Sequence, residues 1–422
     1  MAGASNSHTS VTTLAKGYKK KATKLYTAFK DKVEEFSWLD DIEDEEITPS
    51  GRENLIPLDI KRGYGTHMVT DGGYQARTVT PAMNEGSFSF VEANARFFIS
   101  TLARAFDEKA KEAQIVRQVK YQSKKSLEGL ARRVGLQFYG KSDGVICETT
   151  TNATATTQTL TLNDGFGDST IDGGAYLSSL FELGDRVAGL DASSSNALLA
   201  NALGEVTTKI SDGVIEVIFD GDVNVDAGDY LTFANGVTDT TVAASDSTKW
   251  PVGLLDIITS TTVHGLASSS EANWAAALND TNGGRFSFVK LKKLRQEIMN
   301  DGGGKLTDIV WSNGVENDVE AGERAARIYD SSAMDLDGSI KAKGITFRTS
   351  PLCPPEHVFG FDRSGWGKKL LTDKPGEDGI VSFGDMDKAE DRSGWKGGFT
   401  LIYALVCRSR AKFGRYADLT EQ

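Results

Sequence analysis

The stretch Ser87–Ile146 reads SFSFVEANARFFISTLARAF, then DEKAKEAQIVRQVKYQSKKSLEGLARRVGLQFYG, then KSDGVI. Its first part is apolar and β-prone, with Phe88, Phe90, Val91, Phe97, Phe98 and Ile99. Its second part has the period of a helix. Val116, Val119, Leu127, Leu130, Val134 and Phe138 recur at steps of three and four, with Ser123 in the one polar slot, so they share a stripe. A helix over 113–139 would run about 40 Å at 1.5 Å per residue. Arg117, Lys120, Lys124, Lys125, Arg132 and Arg133 fall off the stripe, and Gly140 with Ser142-Asp143-Gly144 ends it. So long a helix with one narrow apolar stripe needs a sheet or a neighbour to cover it.

The chain on either side supplies more pieces in a fixed order. Upstream, Glu45–Phe90 contains NLIPLDIKRGYGTHMVTDGGYQARTVTPAMNEGS, an out-and-back hairpin from about Leu58 to Ser87 with a Gly-rich middle. Downstream, Phe286–Asn313 (FSFVKLKKLRQEIMNDGGGKLTDIVWSN) reads as a helix, a Gly turn and a buried strand. The helix spans 286–300 with Phe288, Leu291, Leu294 and Ile298 as its buried face, and Gly302–Gly304 stop it. Asp308–Trp311 is the strand, and Asn313 caps a further helix from Gly314 to Tyr329. Strands follow at Gly344–Ser350 and Val358–Phe361, and GGFTLIYALVCRSRAKFGRYADL closes the chain. Alternation of strands and helices here gives a mixed α/β core.

This order of pieces, from about Glu46 to Leu419, resembles the major capsid proteins of tailed bacteriophages, whose fold encapsulin shells share. The resemblance implies an α+β fold: an N-terminal arm, an extended hairpin loop, a peripheral domain with a long spine helix, and an axial α/β domain. A β-rich insertion is added. The corresponding spans are 1–46 for the arm, 47–144 for the loop and spine helix, 145–260 for the insertion, and 261–422 for the axial domain and closing strands. The implied function is structural. Copies would assemble as hexamers and pentamers into an icosahedral shell around double-stranded DNA, with scaffolding, portal and decoration proteins as further partners. The implied place is the virion, built in the host cytoplasm. Two other readings are an encapsulin-like compartment holding enzyme cargo and a ligand-binding protein built on the β-rich segment.

Composition sets bounds. At 422 residues the chain has room for about three modules and a sizeable core. A net charge of −12 argues against a protein that condenses nucleic acid by bulk charge. Cys147, Cys353 and Cys407 are odd in number and unclustered, which gives neither a disulfide framework nor a zinc site and fits a reducing compartment. No apolar run is long enough for a membrane span, and no signal-peptide pattern opens the chain.

The N-terminal segment is amphipathic. Leu14, Tyr18, Ala22, Leu25, Phe29, Val33 and Phe36 are spaced by three or four. Lysines lead and acids follow, the reverse of what a helix dipole favours; the pattern reads either as a solvated charged face or as an arm that lies on an adjacent subunit. Leu14, Tyr18, Leu25 and Phe29 are the contacts expected there.

The segment 145–260 differs in kind. Short β-prone runs (TQTLTLND, RVAGLD, EVTTKIS, GVIEVIF, YLTF) are cut by Gly, Asp and Asn. Phe181-Glu-Leu-Gly184-Asp185-Arg-Val187 and Val225-Asp-Ala-Gly228-Asp229-Tyr-Leu231 repeat one frame, a Gly-Asp turn feeding a strand, as in a small β-barrel or sandwich. Only Arg186, Lys209 and Lys249 oppose its many acids. It is expected to face solvent and to be dispensable for the body.

Chemical motifs are few. GxxxxGK[ST], GxSxG and HExxH are absent, and His8, His67, His264 and His357 lie far apart, so no catalytic residue, metal or cofactor is expected. Asp220, Asp222, Asn224 and Asp226 alternate like calcium ligands, but Val225 and Leu231 stand where an EF-hand needs Gly and Glu. The spine-helix bases lack interleaved aromatics apart from Tyr121, so base stacking is unsupported. Some members of the resembled family join subunits through a Lys–Asn isopeptide bond on the extended loop. Lys61 is the lone lysine between Leu55 and Gly86. The alternative, preferred here, is that Lys61, Arg62 and Arg77 make ion pairs with a neighbouring subunit.

Each exposed pair is worth at most about 1 kcal/mol, but the contact would recur around every ring of subunits. Lys61→Glu/Arg62→Glu should therefore depress particle yield while leaving the thermal melt of the subunit unchanged. Denaturing gels of particles should show one band at the monomer mass. A boiling-resistant ladder would establish the covalent alternative.

Overall fold

The computed structural model describes residues 43–44, 54–61, 82–100, 113–194, 197–234, 250–269, 271, 274–326, 344–371, 382–383, 387–388 and 394–421. It is a mixed α+β structure in which strands dominate. In chain order, β1 (Asn54–Lys61), β2 (Ala82–Phe88) and β3 (Val91–Ser100) lead to α1 (Ala113–Tyr139). Six strands follow: β4 (Cys147–Thr149), β5 (Ala153–Asn163), β6 (Arg186–Asp191), β7 (Ala197–Ser211), β8 (Val214–Val225) and β9 (Tyr230–Phe233). Then come α2 (Leu254–Thr259), β10 (Leu278–Asp280), α3 (Phe288–Glu297), β11 (Asp308–Trp311) and α4 (Asn313–Ala326). The chain closes with β12 (Thr346–Thr349), β13 (Val358–Phe361), β14 (Gly394–Cys407) and β15 (Phe413–Tyr416).

Two compact units result. One takes Phe90–Leu136 and Lys368–Ala404 with the strand at Glu43–Asp44; the other takes Ile47–Ser89, Gln137–Gly367 and Leu405–Gln422. In the first unit β3 pairs antiparallel with β14 over ten residues, from Val91↔Tyr403 to Ser100↔Gly394. Helix α1 has the bounds its periodicity predicts. Where its side chains are described, the stripe residues Leu130, Val134 and Phe138 are buried.

The second unit holds the segment expected to be a barrel or sandwich, and it is a closed barrel, ordered β9-β4-β5-β8-β7-β6 with β6 returning to β9. Its interior is built by alternation: Leu160 and Leu162 on β5, and Ile215, Val217, Phe219, Val223 and Val225 on β8, are buried. Gln158 also turns inward, and its amide donates to the carbonyls of Ala155 (2.9 Å) and Val223 (2.7 Å) beside the bulge in β5. The repeated frame is a repeated turn. Gly184 and Gly228 sit at φ +88° and +99°, where a side chain is strained. The carboxylates of Asp185 and Asp229 accept from the amides of Glu182 (2.7 Å) and Asp226 (2.8 Å). Each turn launches one of two neighbouring strands, β6 and β9.

The same unit contains a five-stranded mixed sheet, β10-β15-β13-β11-β12. β10 runs parallel to β15 and β12 to β11, while β13 is antiparallel to both β11 and β15. Helix α3 covers it with Leu291, Leu294 and Ile298, packed in one cluster with Trp311, Val358 and Tyr416. Gly360 and Gly414 are register partners, and a Cβ on either would lie 2.5 and 2.7 Å from the methyls of Leu294. These paired glycines form the slot that seats the helix. Two expectations are corrected. Phe288 is 52% exposed rather than buried, because Ser287 caps α3 by accepting from the Lys290 amide and leaves Phe288 in the first turn. The cap of α4 is Ser312 rather than Asn313: its Oγ faces the Val315 amide at 3.4 Å, and Asn313 is already helical.

The barrel is anchored to the sheet rather than tethered beside it. Asp168 and Arg415 form a buried ion pair at 2.8 Å. Thr170 Oγ lies 3.1 Å from His357 Nε2, and the Tyr176 hydroxyl donates to the Leu352 carbonyl at 2.8 Å. Burial raises the Asp168 pKa, but the Arg415 charge and the Thr170 hydrogen bonds outweigh it and hold the carboxyl below its usual value. Removing one partner of such a pair strands the other. Arg415→Met should therefore cost about 3–5 kcal/mol in urea unfolding, and Asp168→Leu/Arg415→Leu should recover most of that loss.

Candidate functional site

The hairpin β1–β2 is the element whose sequence pointed to contacts between subunits. It forms its own two-stranded sheet, in register from Asn54↔Phe88 to Asp59↔Met83, with a bulge before Lys61↔Ala82. Lys61 is the last residue of β1. Arg62, Arg77 and the tip between the strands lie outside the described residues, as do Leu14, Tyr18, Leu25 and Phe29 of the arm.

The root of the hairpin is a buried joint. Leu58 is fully buried against Gly86, where a Cβ would collide with the Leu58 side chain and come within 3.1 Å of His264 Cβ. The Ser87 amide donates to the His264 carbonyl at 3.1 Å. His264 Nδ1 lies 3.2 Å from the Ser87 carbonyl, and the Cys407 amide donates to its Nε2 at 2.9 Å. An acceptor on one side and a donor on the other fix the tautomer: Nδ1 carries the proton and Nε2 is bare. His264 and Gly265, at φ +53° and +79°, join Thr262–Val263 to Leu266–Ala267, the positive-φ pattern of a type I′ turn. Sequence reading left His264 as one scattered histidine. The Val-His-Gly-Leu turn was its only local signal, and its partners lie 177 and 143 residues away.

A second clamp stands beside it. Arg410 is buried, and its guanidinium donates to the carbonyls of Ile257 (2.7 Å), Ser260 (2.6 Å) and Trp274 (3.2 Å). Asp256 accepts from the Ser142 amide at 3.2 Å and from the Ser260 hydroxyl. These groups bind backbone, and their geometry holds chain segments together.

Both described histidines are buried and bonded at each ring nitrogen; His357 Nδ1 lies 2.6 Å from the Pro355 carbonyl. Burial pushes the pKa of each down to about 4. The thiol of Cys407 is pushed up to about 12 by burial, and Cys147 is raised by the same cause. Among the described residues no cluster of three or more His, Cys, Asp or Glu could hold a metal, and no helix is long and apolar enough to cross a membrane.

No protein-family profile matches the chain, and no curated protein does. Solved structures similar to it include a chain of the cyanophage A-1(L) capsid asymmetric unit, at 11% identity and TM-score 0.48 over 90% of both chains. A Mycobacterium phage Adephagia structure matches at 9% identity and TM-score 0.42, over 91% of this chain and 90% of that one. The holo-SrpI encapsulin complex of Synechococcus elongatus PCC 7942 matches at 14% identity and TM-score 0.30, over 40% of this chain and 56% of that one.

The neutral histidines make stability depend on pH. Between the unfolded value of 6.5 and the folded value of about 4, the unfolded chain binds more protons, so stability rises with pH. The stabilisation is complete above 6.5 and lost as pH falls toward 4, by roughly 3 kcal/mol for each histidine. Urea midpoints measured across that range should fall with acid, and His264→Gln should flatten the slope by about one proton.

Proposed function

We propose that this chain is the major shell subunit of a tailed-bacteriophage head. The observation that carries the reading is the hairpin β1–β2: a two-stranded sheet with a locked root and no further strand beside it among the described residues. Two strands alone are marginal in water, so such an element gains its stability from a surface it docks on. The order hairpin, long strand, 27-residue helix and mixed α/β sheet supports the same reading, since it is the order that the sequence resemblance implies.

In this reading copies assemble as hexamers and pentamers into an icosahedral shell around double-stranded DNA. The amphipathic segment 14–36 and the hairpin each lie on a neighbour, with Leu14, Tyr18, Leu25, Phe29, Lys61, Arg62 and Arg77 among the contacts. Scaffolding, portal and decoration proteins are the further partners. The subunit is not an enzyme and uses no cofactor. Its net charge of −12 keeps it from gluing down a genome that must leave.

Electron microscopy of the purified protein, alone and with the other head proteins of its genome, tests this. Closed particles of uniform diameter that hold DNA are expected. Particles that hold a protein cargo would favour a compartment shell. A monomer in light scattering that forms no particles under either condition would overturn the reading.

A further inference from the structure

The charge of this chain is divided with unusual sharpness. Between Cys147 and Phe233 stand fourteen Asp and Glu against two bases, Arg186 and Lys209, a formal −12 equal to that of the whole chain. All residues outside the barrel therefore sum to zero. Within that neutral remainder, α3 (FVKLKKLRQE) carries four cations against one acid.

The seating of α3 by Leu294 turns a defined stripe outward. Phe288, Lys292, Arg295 and Met299 stand at steps of four, three and four, on one side of the helix and its continuation. All four are exposed, Phe288 at 52% and Met299 at 51%, and Val289 beside them is 76% exposed. Lys290 and Lys293 are engaged, with the Gly283 carbonyl and Asp280, whereas Lys292 and Arg295 carry no ion pair among the described residues. The stripe thus has apolar ends and a cationic middle.

The barrel wall exposes apolar side chains on a module of net negative charge. Across β6, β7, β8 and β5 the register places Arg186 opposite Glu205, Glu205 opposite Ile218 and Ile218 opposite Thr157, and Arg186 also pairs with Asp220 at 2.9 Å. Glu205 and Ile218 point outward, and Leu183 lies one residue before Gly184, whose amide bonds to the Val206 carbonyl. Leu183 and Ile218 are exposed aliphatic side chains there.

We propose that the α3 stripe of one copy docks on the outer barrel wall around Glu205 and Ile218 of a second copy. Both surfaces are exposed in the single chain, so they do not satisfy each other there; the barrel is net negative where the stripe is positive, and both expose apolar side chains. A contact between two different faces of identical subunits is heterologous, the type that propagates around a ring. The proposal rests on the shell reading and names one of its interfaces.

The test uses the full chain. Carbodiimide cross-linking of assembled protein, made from an equal mixture of 14N and 15N copies, should join Lys292 to a carboxylate within Cys147–Phe233, in peptide pairs of mixed isotope. Lys292→Glu/Arg295→Glu should weaken assembly about fivefold at low salt, as expected for the loss of one exposed ion pair to Glu205. The added Glu205→Lys should restore part of it. The melting temperature reads out folding separately. Particles that form normally from the Lys292→Glu/Arg295→Glu variant would overturn this interface and leave the shell reading standing. Cross-links from Lys292 only to carboxylates outside the barrel would also overturn it. A wild-type chain that never assembles would end both readings.

Discussion

A barrel packed on a sheet is held in one orientation by what is buried between them, and here the buried charge pair is Asp168–Arg415. The pair spans 247 residues and holds its charges 2.8 Å apart in a site with little water access. A charge in such a site cannot be left unpaired, because its desolvation costs several kcal/mol. Any rotation of the barrel that separates the two groups therefore meets a steep penalty. The expectation that the segment 145–260 is dispensable for the body does not fit this anchorage. Deleting the barrel would remove the carboxylate that pairs with Arg415 and the hydroxyl beside His357, and would uncover both.

The hairpin obeys the same economy with neutral groups. The returning strand brings backbone polar groups to a buried root, and His264 meets them with a ring that can donate at one nitrogen and accept at the other. A lysine, which only donates, could not meet both polarities. Gly86 completes the joint by leaving room for Leu58. A hairpin fixed at its root would lose less ordering entropy if it docked on a partner.

What was legible in the sequence was local. The bounds of α1 follow from a 3.6-residue period and a Gly stop, and both Gly-Asp turns follow from a frame of seven residues. Most of the short β-prone runs became barrel strands for the same reason. The errors were local too: Phe288 fits the period of α3 but falls in its first turn, and Ser312 took the capping role assigned to Asn313. What could not be read were the partners. Nothing near Asp168 signals Arg415, and nothing near His264 signals Ser87 or Cys407. Closure of six short strands into a barrel is likewise a long-range fact, fixed by the pairing of β6 with β9.

The division of charge bears on how copies can meet. At physiological salt the screening length is about 8 Å, so two acidic barrels repel strongly only if their walls abut. Packing that sets barrel against barrel would bring like charges together and lose binding energy at every contact. Packing that sets the barrel against the cationic stripe of α3 reverses the sign of the same interaction. A chain whose net charge sits on one module thus selects among arrangements by electrostatics, before any close-packed contact forms. The neutral remainder can approach other copies of itself without that cost.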